Sequence, residues 1–192
     1  MLGKSKPVLT YQAKKHFMSY NSPAALFTLM KYGIVIYGRE ISELNLHTSE
    51  VELIRYVSEN AKTFWANNIS GSEKLFSKKG VLSLTGLGIE MYVCGLSRVY
   101  YTLHEKDVTS KSNAVKYAMN VVPKQFHFIL QEALLLRANK RFFYSKFNKY
   151  IFILQEALSL LTNNKNRYHQ RFKKRKEMLD YAKYVMNLFK LK

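Results

Sequence analysis

Cysteine is almost missing from this chain. Cys94 is the single one, which excludes an intramolecular disulfide, a cysteine-rich zinc site and a dithiol redox pair. Inside an apolar stretch, a lone cysteine reads as a small hydrophobe on a helix. Aspartate is nearly as scarce, with Asp107 and Asp180 far apart and no others. Nucleotidyl-transfer centres hold metal ions with clustered carboxylates, commonly an Asp-x-Asp pair after a Gly-Ser turn. No such pair can be drawn from these residues, and no catalytic set is assigned. The five histidines, His16, His47, His104, His127 and His169, are never three or four residues apart, so no helix face carries two of them toward one metal. There is no Walker loop, no GxGxxG and no nucleophile elbow. The longest apolar candidate, Gly80 to Cys94, is interrupted by Gly86, Gly88 and Glu90 and falls short of the roughly 18 residues that span a bilayer. The lysine-bearing N-terminus has no apolar stretch of signal-peptide length. A cytoplasmic protein with no membrane partner is the expectation.

Positive charge is what the chain has in excess. The formal net charge is +18, and such a field attracts nucleic acid or nucleotide phosphates without dictating a fold. Between Arg137 and Lys192 there are 15 Lys and Arg against 3 acids, so +12 of the +18 sits in the last third. Within it, Lys165, Arg167, Arg171, Lys173, Lys174, Arg175 and Lys176 form a run without an acid, with Tyr168 and Phe172 interleaved. That strip reads either as a solvated helix face or as a nucleic-acid contact made by phosphate pairing and stacking.

Periodicity and capping residues predict an all-α helical bundle behind a short extended N-terminal segment. Val8 to Tyr11 is a candidate short strand. Ser22 as N-cap and Pro23 at the first helical position start a helix of about ten residues that stops at Gly33. The glycine-bounded piece Gly33 to Gly38 reads as a linker packing on the helices. Acids after Thr48 and Ser49 start a second helix, expected to run to about Asn67. Asn67 to Gly71 reads as a break, with Ser72 capping a further element that carries Leu75 and Phe76. Lys79 to His104 is apolar nearly all round and is the candidate central helix; Gly86 and Gly88 within it suit close helix packing. Thr109 or Ser110 caps Lys111 to about Val121, and Pro123 opens a helix to about Arg137. Two more helices are expected near Arg141 to Leu161 and Arg167 to Leu188.

One stretch is duplicated: Phe128 to Leu136 recurs as Phe152 to Leu160, with Leu135 replaced by Ser159. Two copies are too few for a solenoid, so a local duplication of one helix is the reading. The chain divides into an N-terminal extension (1–21), a helical domain (22–137) and a basic helical extension holding the duplicate (138–192).

The run Leu96-Ser97-Arg98-Val99-Tyr100-Tyr101-Thr102, then Thr109-Ser110-Lys111, Tyr117-Ala118-Met119, Pro123 and Ala133 resembles the C-terminal helical domain of the streptomycin/spectinomycin-type aminoglycoside adenylyltransferases. Ser22-Pro23 through Gly33–Gly38 to Leu44 is similar to the segment preceding it. The resemblance implies that Arg98 and Lys111 help hold ATP phosphates, a task suited to a guanidinium and to a lysine at a helix start. Where the family carries an acid facing the cationic drug, an ungapped match gives Gly88, and the nearest acid, Glu90, is the candidate substrate contact. Where an aromatic is expected on the helix after the proline stands Arg137. The scarcity of aspartate implies a domain without its catalytic partner. ATP with magnesium is then a cofactor only if a separate transferase chain supplies the catalytic residues.

A reading from a different class is a HEPN-type RNA-binding or RNA-cleaving domain. Its Arg-x4-6-His signature has a match in Arg98 and His104, where the histidine would serve acid–base chemistry. The third reading is a structural partner docking on a transferase chain.

Overall fold

The computed structural model describes residues 7–12, 15–20, 22–143 and 165–190, with side chains for 22–138 and 169–189. Pro7–Gln12 (β1) and Lys15–Tyr20 (β2) pair antiparallel, from Pro7 opposite Tyr20 to Gln12 opposite Lys15. The expected single extended piece is therefore one arm of a hairpin. The rest of the described chain is helical.

Local chemistry sets most helix starts. The Ser22 hydroxyl accepts from the Ala25 N–H and Pro23 occupies the first turn of α1 (Pro23–Tyr32), which stops at Gly33. Ser49 and Glu52 form a reciprocal capping box at the start of α2 (Glu50–Asn60), each satisfying a backbone N–H that the helix leaves orphaned. Ser110 caps α6 (Lys111–Val121) by accepting from the Asn113 N–H. After Pro123 a 3-10 turn (Lys124–Phe126) leads into α7 (His127–Phe143), which runs past the expected end at Arg137. The last described helix, α8 (Lys165–Lys190), begins slightly before the expected start. The second copy of the duplicated stretch lies outside the described residues.

Three expectations are corrected. The helix that starts at Glu50 does not break at Asn67: it passes through a π-helical turn (Ala61–Trp65) and continues as α3 (Ala66–Glu73). Asn68, Ile69 and Ser72 are buried there, Asn68 donates to the Phe64 carbonyl, and Ser72 meets the Tyr92 hydroxyl at 2.5 Å. Packing overrides the weak helix propensity of this stretch, and Ser72 caps nothing. Phe76 follows outside any helix, almost fully exposed. The apolar run expected as one central helix is two, α4 (Lys78–Ser83) and α5 (Gly86–Glu105), because Thr85 caps α5 by accepting from the Gly88 N–H at 3.1 Å. Gly88 is required at that junction, since a Cβ there would lie 2.1 Å from the Leu82 carbonyl oxygen. Finally, Gly33 to Gly38 does not pack on the helices: Ile34, Ile36 and Tyr37 are 86, 96 and 99% exposed.

The centre is α5, which packs against α2, α4, α6, α7 and α8. Tyr92, Val93, Cys94 and Leu96 on it are wholly inaccessible, so Cys94 is the small core residue its setting suggested. Ile129, Leu130 and Ala133 of α7 and Met178, Tyr181, Ala182 and Val185 of α8 close over it. Buried tyrosines keep partners for their hydroxyls, as burial demands: Tyr92 donates to the Asn68 carbonyl and Tyr181 lies 2.7 Å from Ser97 Oγ. Among the described residues no helix is long and apolar enough to cross a membrane.

Candidate functional site

Arg98 sits two-thirds of the way along α5, and Lys111 is the first residue of α6. What joins them is the intervening turn. Lys106 takes a left-handed conformation (φ 56°) that ends α5, and Asp107 then fastens the turn to α1. Its carboxylate accepts from Lys31 Nζ at 2.8 Å, Tyr32 Oη at 2.5 Å and the Val108 N–H at 2.7 Å. Burial pushes the Asp107 carboxyl up, but the hydrogen bonds from Lys31 and Tyr32 outweigh it and hold the group below the usual aspartate range.

Two clefts open beside this turn. The first, about 300 Å³, is lined by the aromatic side chains Tyr56, Phe64 and Trp65 together with Arg98 and Lys111. The second, about 430 Å³, is bounded by Thr28 and Tyr32 of α1, Tyr101 of α5, and Thr109 and Ser110 at the mouth of α6. Arg98 lines both. The structure thus brings Arg98 and Lys111 to one cleft. Neither cleft has an acidic residue in its lining. The α6 N-terminus adds partial positive charge from its leading N–H groups beside Arg98 and Lys111.

Since the Asp107 carboxyl has a lowered pKa, its link to α1 is fully present above the ordinary aspartate value near 4 and is lost as pH falls through the lower folded value. Protection of the α1 amides, taken relative to the intrinsic exchange rate at each pH, is therefore expected to fall severalfold on acidification below about pH 4. Asp107→Asn should already exchange faster at neutral pH and show a flatter acid response. An unchanged acid response in that variant would show that Asp107 does not set the position of α1.

Other expected residues lie elsewhere. Glu90 lines neither cleft: it is 9% exposed and its carboxylate meets Arg137 Nη1 at 3.1 Å, while Arg137 Nε also donates to Ser112 Oγ. Arg137, standing where an aromatic was expected, therefore ties α7 to both α5 and α6. His104 follows Arg98 by six residues, which at about 100° per residue places them roughly 120° apart around α5. Its Nδ1 is 2.7 Å from Tyr117 Oη, and its ring stacks on Tyr100 at 5.8 Å. Glu105 accepts from Tyr117 and is held low in pKa by that bond and by His104.

The basic strip is partly turned inward. Arg175 donates to Ser83 Oγ at 2.9 Å and to the carbonyls of Ser72 and Glu73 at 2.6 and 3.2 Å, capping the C-terminal end of α3. Lys174 pairs with Glu132 at 2.6 Å, and Lys173 lies over the Phe128 ring. Side chains of Lys165, Arg167 and Tyr168 fall outside the described set. Among the described residues no group of three or more His, Cys, Asp or Glu side chains could hold a metal ion.

No sequence pattern links the aromatic lining to Arg98: Tyr56, Phe64 and Trp65 precede it by more than thirty positions, and on an amphipathic helix such residues ordinarily mark the core. The one local signal is the π turn, a distortion common at functional sites.

Residues 88–150 match the family model described as aminoglycoside adenylyltransferase, C-terminal domain. No curated protein and no solved structure matches the chain. The matched stretch holds α5 from Gly88, all of α6 and α7, and both cations of the cleft. Over residues 88–150, about a third of the chain, the sequence is thus similar to the C-terminal domain of the aminoglycoside adenylyltransferases.

Proposed function

We propose that this chain serves as the nucleotide-holding helical part of an adenylyltransferase, with Arg98 and Lys111 receiving the phosphates of ATP. The supporting observation is the first cleft: two cations beside a helix N-terminus with no carboxylate in its walls. A guanidinium supplies several fixed donors to phosphate oxygens, and the lysine adds a mobile point charge. ATP fits this donor set. Magnesium does not, since no carboxylate cluster is available among the described residues. Metal and chemistry would come from residues outside this set, on a transferase domain. A drug ammonium group seeking Glu90 would have to displace Arg137, so the phosphate half of the resemblance is the half adopted.

Calorimetric titration with ATP tests this. Arg98→Ala is expected to weaken binding by about tenfold or more, the effect of removing a charged hydrogen-bond partner, and Lys111→Ala by less. Binding that is indifferent to Arg98 would rule the site out. Incubation of the chain alone with ATP, magnesium and spectinomycin or streptomycin is expected to yield no adenylylated drug. Appearance of that product would overturn the need for further catalytic residues.

A further inference from the structure

The phosphate reading leaves the aromatic part of the first cleft's lining without a role. Its build is specific. At Ala61–Trp65 the helix widens into a π turn, with the Ala66 N–H bonded back to the Ala61 carbonyl. Phe64 and Trp65, adjacent in sequence, both line the cleft. Their rings meet edge to face at 5.2 Å and 84°. Trp65 is fixed, 7% exposed, with its indole seated over Gly95, where a Cβ would come within 2.2 Å of it. Phe64 differs: it lines the same cleft and is 48% exposed. Tyr56, eight residues or about two turns earlier, lines the same cleft and is partly covered.

We infer that Phe64, with Tyr56 beside it and Trp65 behind it, is a stacking platform for the planar base of the nucleotide whose phosphates meet Arg98 and Lys111. This rests on the phosphate reading and adds the recognition of the base. A phenylalanine has no hydrogen-bonding group to distinguish one base edge from another, so it gives affinity with little discrimination among bases. The cations fix one end of the ligand and the ring the other. An isolated polyphosphate would use only the first.

The test compares two ligands on the intact chain, ATP and inorganic tripolyphosphate, by calorimetry. Trp65, the single tryptophan, supplies a fluorescence signal from inside the cleft. Phe64→Ala is expected to weaken ATP by about tenfold or more, in the range of one lost base–aromatic stack, and to leave tripolyphosphate unchanged. Phe64→Tyr, which keeps the ring, should retain ATP affinity, and unchanged melting of both variants confirms that the fold persists. If Phe64→Ala leaves ATP affinity intact while Arg98→Ala lowers it, the platform is refuted and the phosphate site stands. If Phe64→Ala weakens both ligands equally, the ring acts on the cleft's shape and the platform is likewise refuted. If neither ligand binds the parent chain, the phosphate reading falls and the platform with it.

Discussion

A chain ending at Asn164 is expected not to fold into the helical bundle. The removed helix, α8, is basic over its first half, and its sequence suggests an appendage. Its second half says otherwise. Met178, Leu179, Tyr181, Ala182, Val185 and Met186 are all buried in the same core as Leu96 and Ile129. Burying a large apolar side chain contributes about 1.5–3 kcal/mol, so the set contributes on the order of 10 kcal/mol. Domains of this size are stable by roughly 5–15 kcal/mol in total. Loss of α8 also strips Arg175 from the α3 carbonyls and Lys183 from Glu73. Circular dichroism and thermal melting of the truncated chain would check this; a cooperative melt near that of the intact chain would show that α8 is dispensable. The matched family stretch, 88–150, stops before α8. The truncation therefore also asks whether the family segment and the helices before it can stand without this covering helix.

What the sequence discloses about the fold is what local chemistry decides. Ser22-Pro23, Ser49 with Glu52, and Ser110 each satisfy orphan N–H groups within three residues of themselves, and the helices begin where those residues stand. Errors arise where tertiary contacts overrule such signals. Asn67 to Gly71 carries the residues of a break, yet α3 runs through it because Ile69 and Ser72 are buried, the latter against Tyr92. Thr85 is the converse case: a genuine cap hidden in an apolar run, where uniform hydrophobicity masks the boundary. Basic residues show the same limit. Nothing local separates Arg175, which caps α3 from another helix, from Lys176, which is exposed.

For the site, Arg98 and Lys111 are legible through the family pattern, since the turn that joins them lies inside it. Their meeting in one cleft depends on the left-handed Lys106 and on Asp107 reaching back to α1, 75 and 76 positions away, which no spacing rule conveys. Glu90 shows the opposite. It is the nearest acid by sequence, and in the bundle its carboxylate pairs with Arg137, which also joins α7 to α6 through Ser112.

Tyr181→Ala is expected to destabilise the chain by about 3–5 kcal/mol, the usual cost of removing a large buried aromatic. The ring is fully inaccessible, packs edge to face on Phe126 at 5.6 Å, and sits where α8 crosses α5. Tyr181→Phe separates packing from polarity. It keeps the ring and removes only the hydroxyl next to Ser97. Ser97 Oγ still donates to the Val93 carbonyl at 2.7 Å, so no buried donor is left orphaned. The loss should be about 1 kcal/mol. A pH dependence further distinguishes the parent chain from Tyr181→Phe. Burial pushes the Tyr181 phenol well above its ordinary value near 10. The neutral phenol is favoured in the folded state, so its contribution is fully present below about pH 10 and declines as pH rises toward the folded value. The parent chain should lose stability above about pH 10 more steeply than Tyr181→Phe, while Tyr92, also raised by burial, leaves some alkaline dependence in both. Urea denaturation across pH 8 to about 11 measures it. Identical alkaline slopes for parent and Tyr181→Phe would show that the phenol titrates in contact with solvent, and that α8 does not seal the core at this point.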